Sequence, residues 1–101
     1  MTHLLRNTIL DLLVFVSPLT LAGDPAAGKA KSMTCAACHG ANGISPQDMW
    51  PNLAGQKEGY LISQLKMFRD GRRVNPMMTA MSQGLSDEDI VNLAAFYSSL
   101  K

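Results

Sequence analysis

Two cysteines separated by two residues and followed at once by a histidine constrain this chain more than anything else in it: Cys35, Ala36, Ala37, Cys38 and His39. The C-x-x-C-H run reads as a c-type haem attachment site. Each thiol adds to one vinyl group of a porphyrin, and the intervening pair lets both sulfurs reach one edge of the macrocycle. His39, next in the chain, is then delivered to the iron as the proximal ligand. A fold built on this run has to wrap a large apolar plate.

Competing readings of the run fare less well. A thioredoxin-like C-x-x-C expects a βαβ setting, and the chain has no convincing alternating β-branched run. A structural zinc site wants four Cys or His ligands, whereas the sequence offers only Cys35, Cys38, His39 and a distant His3. A local disulfide is the remaining alternative, in an oxidising compartment.

The first residues differ from the rest. Arg6 precedes a largely apolar stretch from Thr8 to Ala22, with Thr20 and Ala22 as small residues suited to cleavage. These are the parts of a secretory signal peptide. A bilayer span needs about twenty apolar residues, and this stretch is shorter, carries Asp11 and is interrupted by Pro18. The expected division is a signal peptide over residues 1–22, with Gly23 as the alternative cleavage point and an uncleaved membrane tether as the exception, and one domain over 23–101. The product is then periplasmic, soluble or loosely membrane-associated. So small a domain is marginally stable on a side-chain core alone and needs a staple. A covalently held haem supplies one, and the apo-chain is expected to be largely unfolded.

The formal net charge is +1, and the basic residues are scattered apart from a modest cluster at Lys66, Arg69, Arg72 and Arg73. Nucleic-acid binding calls for a stronger basic footprint and is rejected. The cluster reads as a solvated helix end whose cations suit the helix dipole, or else as a docking patch for an acidic partner.

Helical signals recur through residues 23–101. Asp24 and Pro25 are a favoured N-cap and first helical residue, predicting a helix to about Met33. Gly28 inside it costs about 1 kcal/mol relative to Ala and either permits a close approach or is merely tolerated. Gly40 to Gln56, broken by Gly40, Gly43, Pro46, Pro51 and Gly55, is expected to be irregular. Leu61, Leu65 and Phe68 predict a helix over Lys57 to Asp70, stopped by Gly71. Arg72 to Leu85 reads as irregular and rich in Met. Ser86 followed by Asp89 is a capping box opening a helix whose stripe, Ile90, Leu93, Ala94 and Tyr97, is core.

Once the leader is removed, His39 is the only histidine, so a second histidine ligand within the monomer is excluded. The soft ligands left are methionines. Met33 is tied to the proximal side, Met67 lies on a packed helix, and Met49 suits a core filler beside Trp50. Met77, Met78 and Met81 remain, between two helices.

Taken together, these residues resemble the class I cytochromes c, particularly the small bacterial single-haem proteins and each half of the two-haem ones. The resemblance rests on Cys35 to Gly40; on Pro51, Asn52, Leu53, Ala54, Gly55 and Gln56; on Tyr60, Leu61, Gln64, Leu65 and Phe68 followed by Arg69, Asp70 and Gly71; and on Leu85, Ser86, Ala94, Ala95, Phe96 and Tyr97. Many relatives carry an aromatic residue shortly before the first cysteine, where this chain has Ser32 and Met33. The resemblance implies an all-α fold of three main helices and loops around one haem c, bound through Cys35 and Cys38. Counting back seven residues from Leu85, as the family spacing has it, reaches Met78 as the second iron ligand beside His39. It further implies a hydrogen bond from His39 to the Pro51 carbonyl, Leu53 and Leu65 lining the haem pocket, and Gly28 packed near Tyr97.

Histidine and methionine ligation raises a haem potential and leaves no open site for substrate. The expected function is an exported one-electron carrier between redox proteins, not an enzyme and without a small-molecule substrate. A second reading is the cytochrome subunit of an oxidoreductase complex, such as a sulfide-oxidising flavocytochrome with a flavoprotein partner. A third is a haem sensor or peroxidase-like enzyme with a labile methionine.

Overall fold

Asp24 and Pro25 open the first helix as their chemistry dictates. The Asp24 carboxylate accepts from the Ala26 amide at 2.9 Å, and Pro25 occupies the first turn, where a missing N–H costs nothing. The computed structural model describes residues 23–101. The signal-peptide expectation for residues 1–22 lies outside the described residues.

Helix α1 spans Pro25–Lys31 and tightens into a 3₁₀ turn over Ser32–Thr34, so the helical path expected to end near Met33 changes pitch at Ser32. The single turn α2, Ala36–His39, carries the C-x-x-C-H run. Helix α3 spans Glu58–Asp70, α4 spans Pro76–Ser82 and α5 spans Asp87–Ser99. There is no strand among the described residues. The three main helices are α1, α3 and α5.

The helix ends follow their sequence signals. Gly71, at φ 80°, closes α3, where the Arg72 amide donates to the Met67 carbonyl at 2.9 Å and the Gly71 amide to Phe68 at 3.4 Å. This is a Schellman arrangement, and the left-handed backbone it needs suits glycine. At α5 the capping box is complete: the Asp89 amide donates to the Ser86 hydroxyl and the Ser86 amide to the Asp89 carboxylate, each at 3.0 Å.

The core lies where α5 crosses α1 and α3. Leu61, Leu93, Ala94, Phe96 and Tyr97 form its buried centre, with Cys35, Leu53, Leu65, Leu85 and Leu100 packed against it. Gly28 marks the closest approach. A Cβ there would overlap the Asn92 carbonyl and lie 2.8 Å from the Phe96 Cβ. The nearest atoms belong to Asn92 and Phe96, about one helical turn apart on α5, Phe96 being the chain neighbour of Tyr97. The Asp24 amide bonds the Asn92 side chain at 2.8 Å, and Lys31 pairs with Asp89 at 3.5 Å, closing the same seam.

One expectation is corrected. The segment from Arg72 to Leu85 is not irregular throughout, because it contains α4. Asn75 accepts from the amides of both Met77 and Met78, at 3.0 and 2.9 Å, and Pro76 fills the first turn. Asn-Pro also punctuates loops, and a helix of two turns is too short to show an apolar period.

Candidate functional site

The single turn of α2 decides how the two thiols and the imidazole are presented. The His39 amide donates to the Cys35 carbonyl at 3.0 Å and the Gly40 amide to Ala36 at 2.9 Å. Wound this way, Cys35 and Cys38 fall three residues apart on one face. Both thiols are free and half-buried. Burial pushes the Cys35 thiol above its ordinary value.

His39 is buried, at 7 % exposure, and its Nδ1 lies 2.8 Å from the Pro51 carbonyl oxygen. A carbonyl only accepts, so the Nδ1 hydrogen is committed there and Nε2 keeps its lone pair for a metal. The loop that presents Pro51 is irregular, as expected, yet well tied. The amides of Leu53 and Ala54 donate to the Gly43 carbonyl at 2.8 and 3.0 Å, Ser45 to the Asn52 side chain at 2.7 Å, and Gly55 to the Tyr97 carbonyl at 2.9 Å. The sequence motif locates His39; Asn52 and Gly55, which hold Pro51 in place, belong to the Pro51–Gln56 run on which the resemblance rests.

Leu53 and Leu65 are partly buried against the core cluster. Met78 is half-buried, whereas its neighbours Met77 and Met81 are 52 % and 49 % exposed. Ile44, Met49, Tyr60 and Val74 are also large apolar side chains with half or more of their surface in solvent or nearly so. Two thiols on one face, a histidine with Nε2 unspent and uncovered apolar side chains on the loop, Ile44 and Met49, fit a covalently held macrocycle. A zinc site does not fit: no group of three or more His, Cys, Asp or Glu among the described residues could hold a metal ion.

The cationic cluster is mostly spent within the chain. Arg69 pairs with Asp87 at 2.8 Å and Asp70 at 3.1 Å and donates to the Leu85 carbonyl at 3.2 Å. Arg72 pairs with Asp70 at 3.4 Å, and Arg73 donates to Gln64 at 2.6 Å while lying 4.5 Å above the Phe68 ring. Three of the four cations thus already have protein partners, which favours the helix-end reading over a docking patch.

The cytochrome c family model matches residues 25–101. Cytochrome c-554(548) of Halomonas halodenitrificans is 53% identical over 81 residues, covering 77% of this chain and 98% of that protein. A protein named thiosulfate dehydrogenase electron acceptor, from Thiomonas intermedia, is 38% identical over 102 residues, covering 100% of this chain and 45% of its own. Among solved structures, reduced recombinant cytochrome c4 from Pseudomonas stutzeri superposes with a TM-score of 0.76 at 43% identity, over 79% of this chain and 47% of that one. The chain therefore spans nearly the whole of one relative and less than half of the other two. It belongs to the cytochrome c family, with the class I fold, and takes one haem c with its iron through the Cys35–Cys38–His39 run. It is an electron-transfer cytochrome.

Proposed function

We propose that this cytochrome is an exported one-electron carrier whose haem iron is held by His39 and Met78, passing electrons between redox proteins of the periplasm. The observation that carries the reading is the contrast between the two sides of the site. On one side His39 is fixed by a 2.8 Å bond to Pro51. On the other, Asn75 caps α4 so that Met78 is the half-buried methionine of the trio while Met77 and Met81 face outward. When bound, the haem supplies a one-electron couple between ferrous and ferric iron, which thioether ligation biases toward ferrous.

The residues of the chain do the rest. Cys35 and Cys38 anchor the group, and the Pro51 carbonyl orients the His39 ring and raises its basicity. Leu53 and Leu65, packed on the core, supply a low-dielectric wall. No helix among the described residues is long and apolar enough to cross a membrane, and the proposed export rests on the leader-like composition of residues 1–22.

A redox titration should give one one-electron wave, and the ferrous protein should not bind carbon monoxide quickly at neutral pH. Rapid binding would move the protein to the sensor or peroxidase-like class. The Thiomonas relative, matched along the whole of this chain, favours a second reading, in which the chain serves a dedicated oxidoreductase as its electron acceptor or subunit. Co-purification of that enzyme or of a flavoprotein through high salt would select it over a freely diffusing carrier.

A further inference from the structure

Tyr97 is 3 % exposed, and its hydroxyl is buried without a hydrogen-bond partner. A buried phenol left in that state costs about 1–3 kcal/mol, so its surroundings show what it is waiting for. The ring has little freedom to turn away. It packs on Phe96 with centroids 5.0 Å apart, and the Tyr97 carbonyl accepts from the amides of Gly55 and Leu100 at 2.9 and 3.2 Å.

Two polar side chains beside the cluster come into question: Cys35, which packs against it, and Ser32, buried on the 3₁₀ turn that leads into Cys35. Ser32 is buried, and its hydroxyl hydrogen is committed to the Lys29 carbonyl at 2.7 Å. It therefore offers Tyr97 no hydrogen, but its lone pairs remain free to accept, which makes Ser32 the rival acceptor that the Ser32→Ala variant separates from Cys35. Cys35 packs against the cluster to which Tyr97 belongs. As a free thiol it carries its own hydrogen and competes as a donor; once alkylated it is a thioether, which can only accept. Burial pushes the phenol well above its ordinary value, so it keeps its proton and stays a donor at any working pH.

We propose that Tyr97 is a positioning residue for the haem: its hydroxyl donates to the Cys35 thioether sulfur, locking the C-terminal helix to the attachment point and drawing electron density from the macrocycle. The orphaned hydroxyl is then matched to the mature protein. Because the bond withdraws density, it favours the ferrous state. The inference depends on attachment at Cys35 and not on the identity of the sixth ligand.

The test compares the holoprotein with its Tyr97→Phe and Ser32→Ala variants. Tyr97→Phe keeps the ring and should shift the equilibrium with a redox mediator by about two- to threefold toward ferric, and should move the C–S stretching band in the resonance Raman spectrum. Ser32→Ala should leave both in place. In the wild type, the Tyr97 hydroxyl proton should exchange slowly and show a nuclear Overhauser effect to the Cys35 β-protons. A Tyr97→Phe variant with lowered melting temperature but unchanged equilibrium and Raman band would make the role purely structural and overturn the proposal. So would an Overhauser contact to Ser32 in place of Cys35, or an equal redox shift from Ser32→Ala.

Discussion

The two sides of the haem site are held by different means. On the His39 side, the polypeptide is tied through part-buried or backbone bonds to the loop that carries Pro51, and that loop is tied in turn to α5. On the Met78 side, the two-turn helix α4 hangs mainly from exposed side-chain bonds. These include Asn75 to the Met77 and Met78 amides, Thr79 to Asn75 and Arg73, and Gln83 to Arg69. It also buries Ser82 completely while leaving its hydroxyl without a protein partner. Exposed hydrogen bonds and unpaired buried groups mark the parts of a protein that open first. Under the proposed ligation, the His39 side is therefore the more firmly held of the two and the Met78 side the first to open.

The largest effect expected is from Cys35→Ala with Cys38→Ala. Without covalent attachment the chain should lose cooperative melting and most of its helical circular dichroism, because so small a domain relies on its staple. A sharp native-like transition in that variant would mean that the α1–α5 seam folds alone. Next comes Gly28→Ala, whose Cβ would overlap the Asn92 carbonyl. Overpacking against backbone should cost about 3 kcal/mol, read as a fall in urea midpoint. The haem should remain attached, since this strain lies in the seam.

Asn75→Ala sharpens the contrast from the other side. Losing the cap should cost about 1 kcal/mol and fall chiefly on α4, with hydrogen exchange accelerated at Met77 and Met78 and little changed in α5. Equal acceleration in both helices would show that the two sides open as one unit. Ser82→Ala removes the orphaned hydroxyl and should stabilise α4 by up to about 1 kcal/mol, visible as slower exchange across Pro76–Ser82.

The smallest effect is at acid pH. Hydrogen bonding and charge from Arg69 hold Asp87 below the ordinary carboxylate value, and the Ser86 amide does the same for Asp89. Both are lower when folded than when unfolded, so their stabilisation is full above the unfolded value of about 4 and fades as the pH falls through the folded values. The urea midpoint should therefore decline below that point, and Asp89→Asn should flatten the decline.

The same two-sidedness governs what the sequence alone discloses. The His39 side is legible because covalent chemistry fixes spacing: Cys35, Cys38 and His39 leave a short pattern with few rivals, and Asp24-Pro25 and Ser86-to-Asp89 are local capping signals that survive in isolation. Helix α4 is illegible as a helix because Asn75-Pro76 is equally a loop signal and seven residues cannot display a period. Met78 is reached only by family spacing and not by pattern. Gly28 shows that something comes close but not what: its partners, Asn92 and Phe96, are more than sixty residues away in sequence. The charge cluster misleads in the other direction: Asp70 stands beside Arg69 and Arg72 in the sequence, but Asp87, the nearer acid to Arg69, becomes its neighbour only once α5 begins.

The most direct test of the account is the optical spectrum of the oxidised holoprotein beside that of Met78→Ala. The wild type should show the weak red band of a thioether-bound ferric haem, and the variant should lose it while both keep c-type reduced bands. A band that survives in Met78→Ala would assign the ligand to Met77 or Met81, on the same helix, and contradict the choice of Met78; a high-spin wild type would contradict the carrier itself.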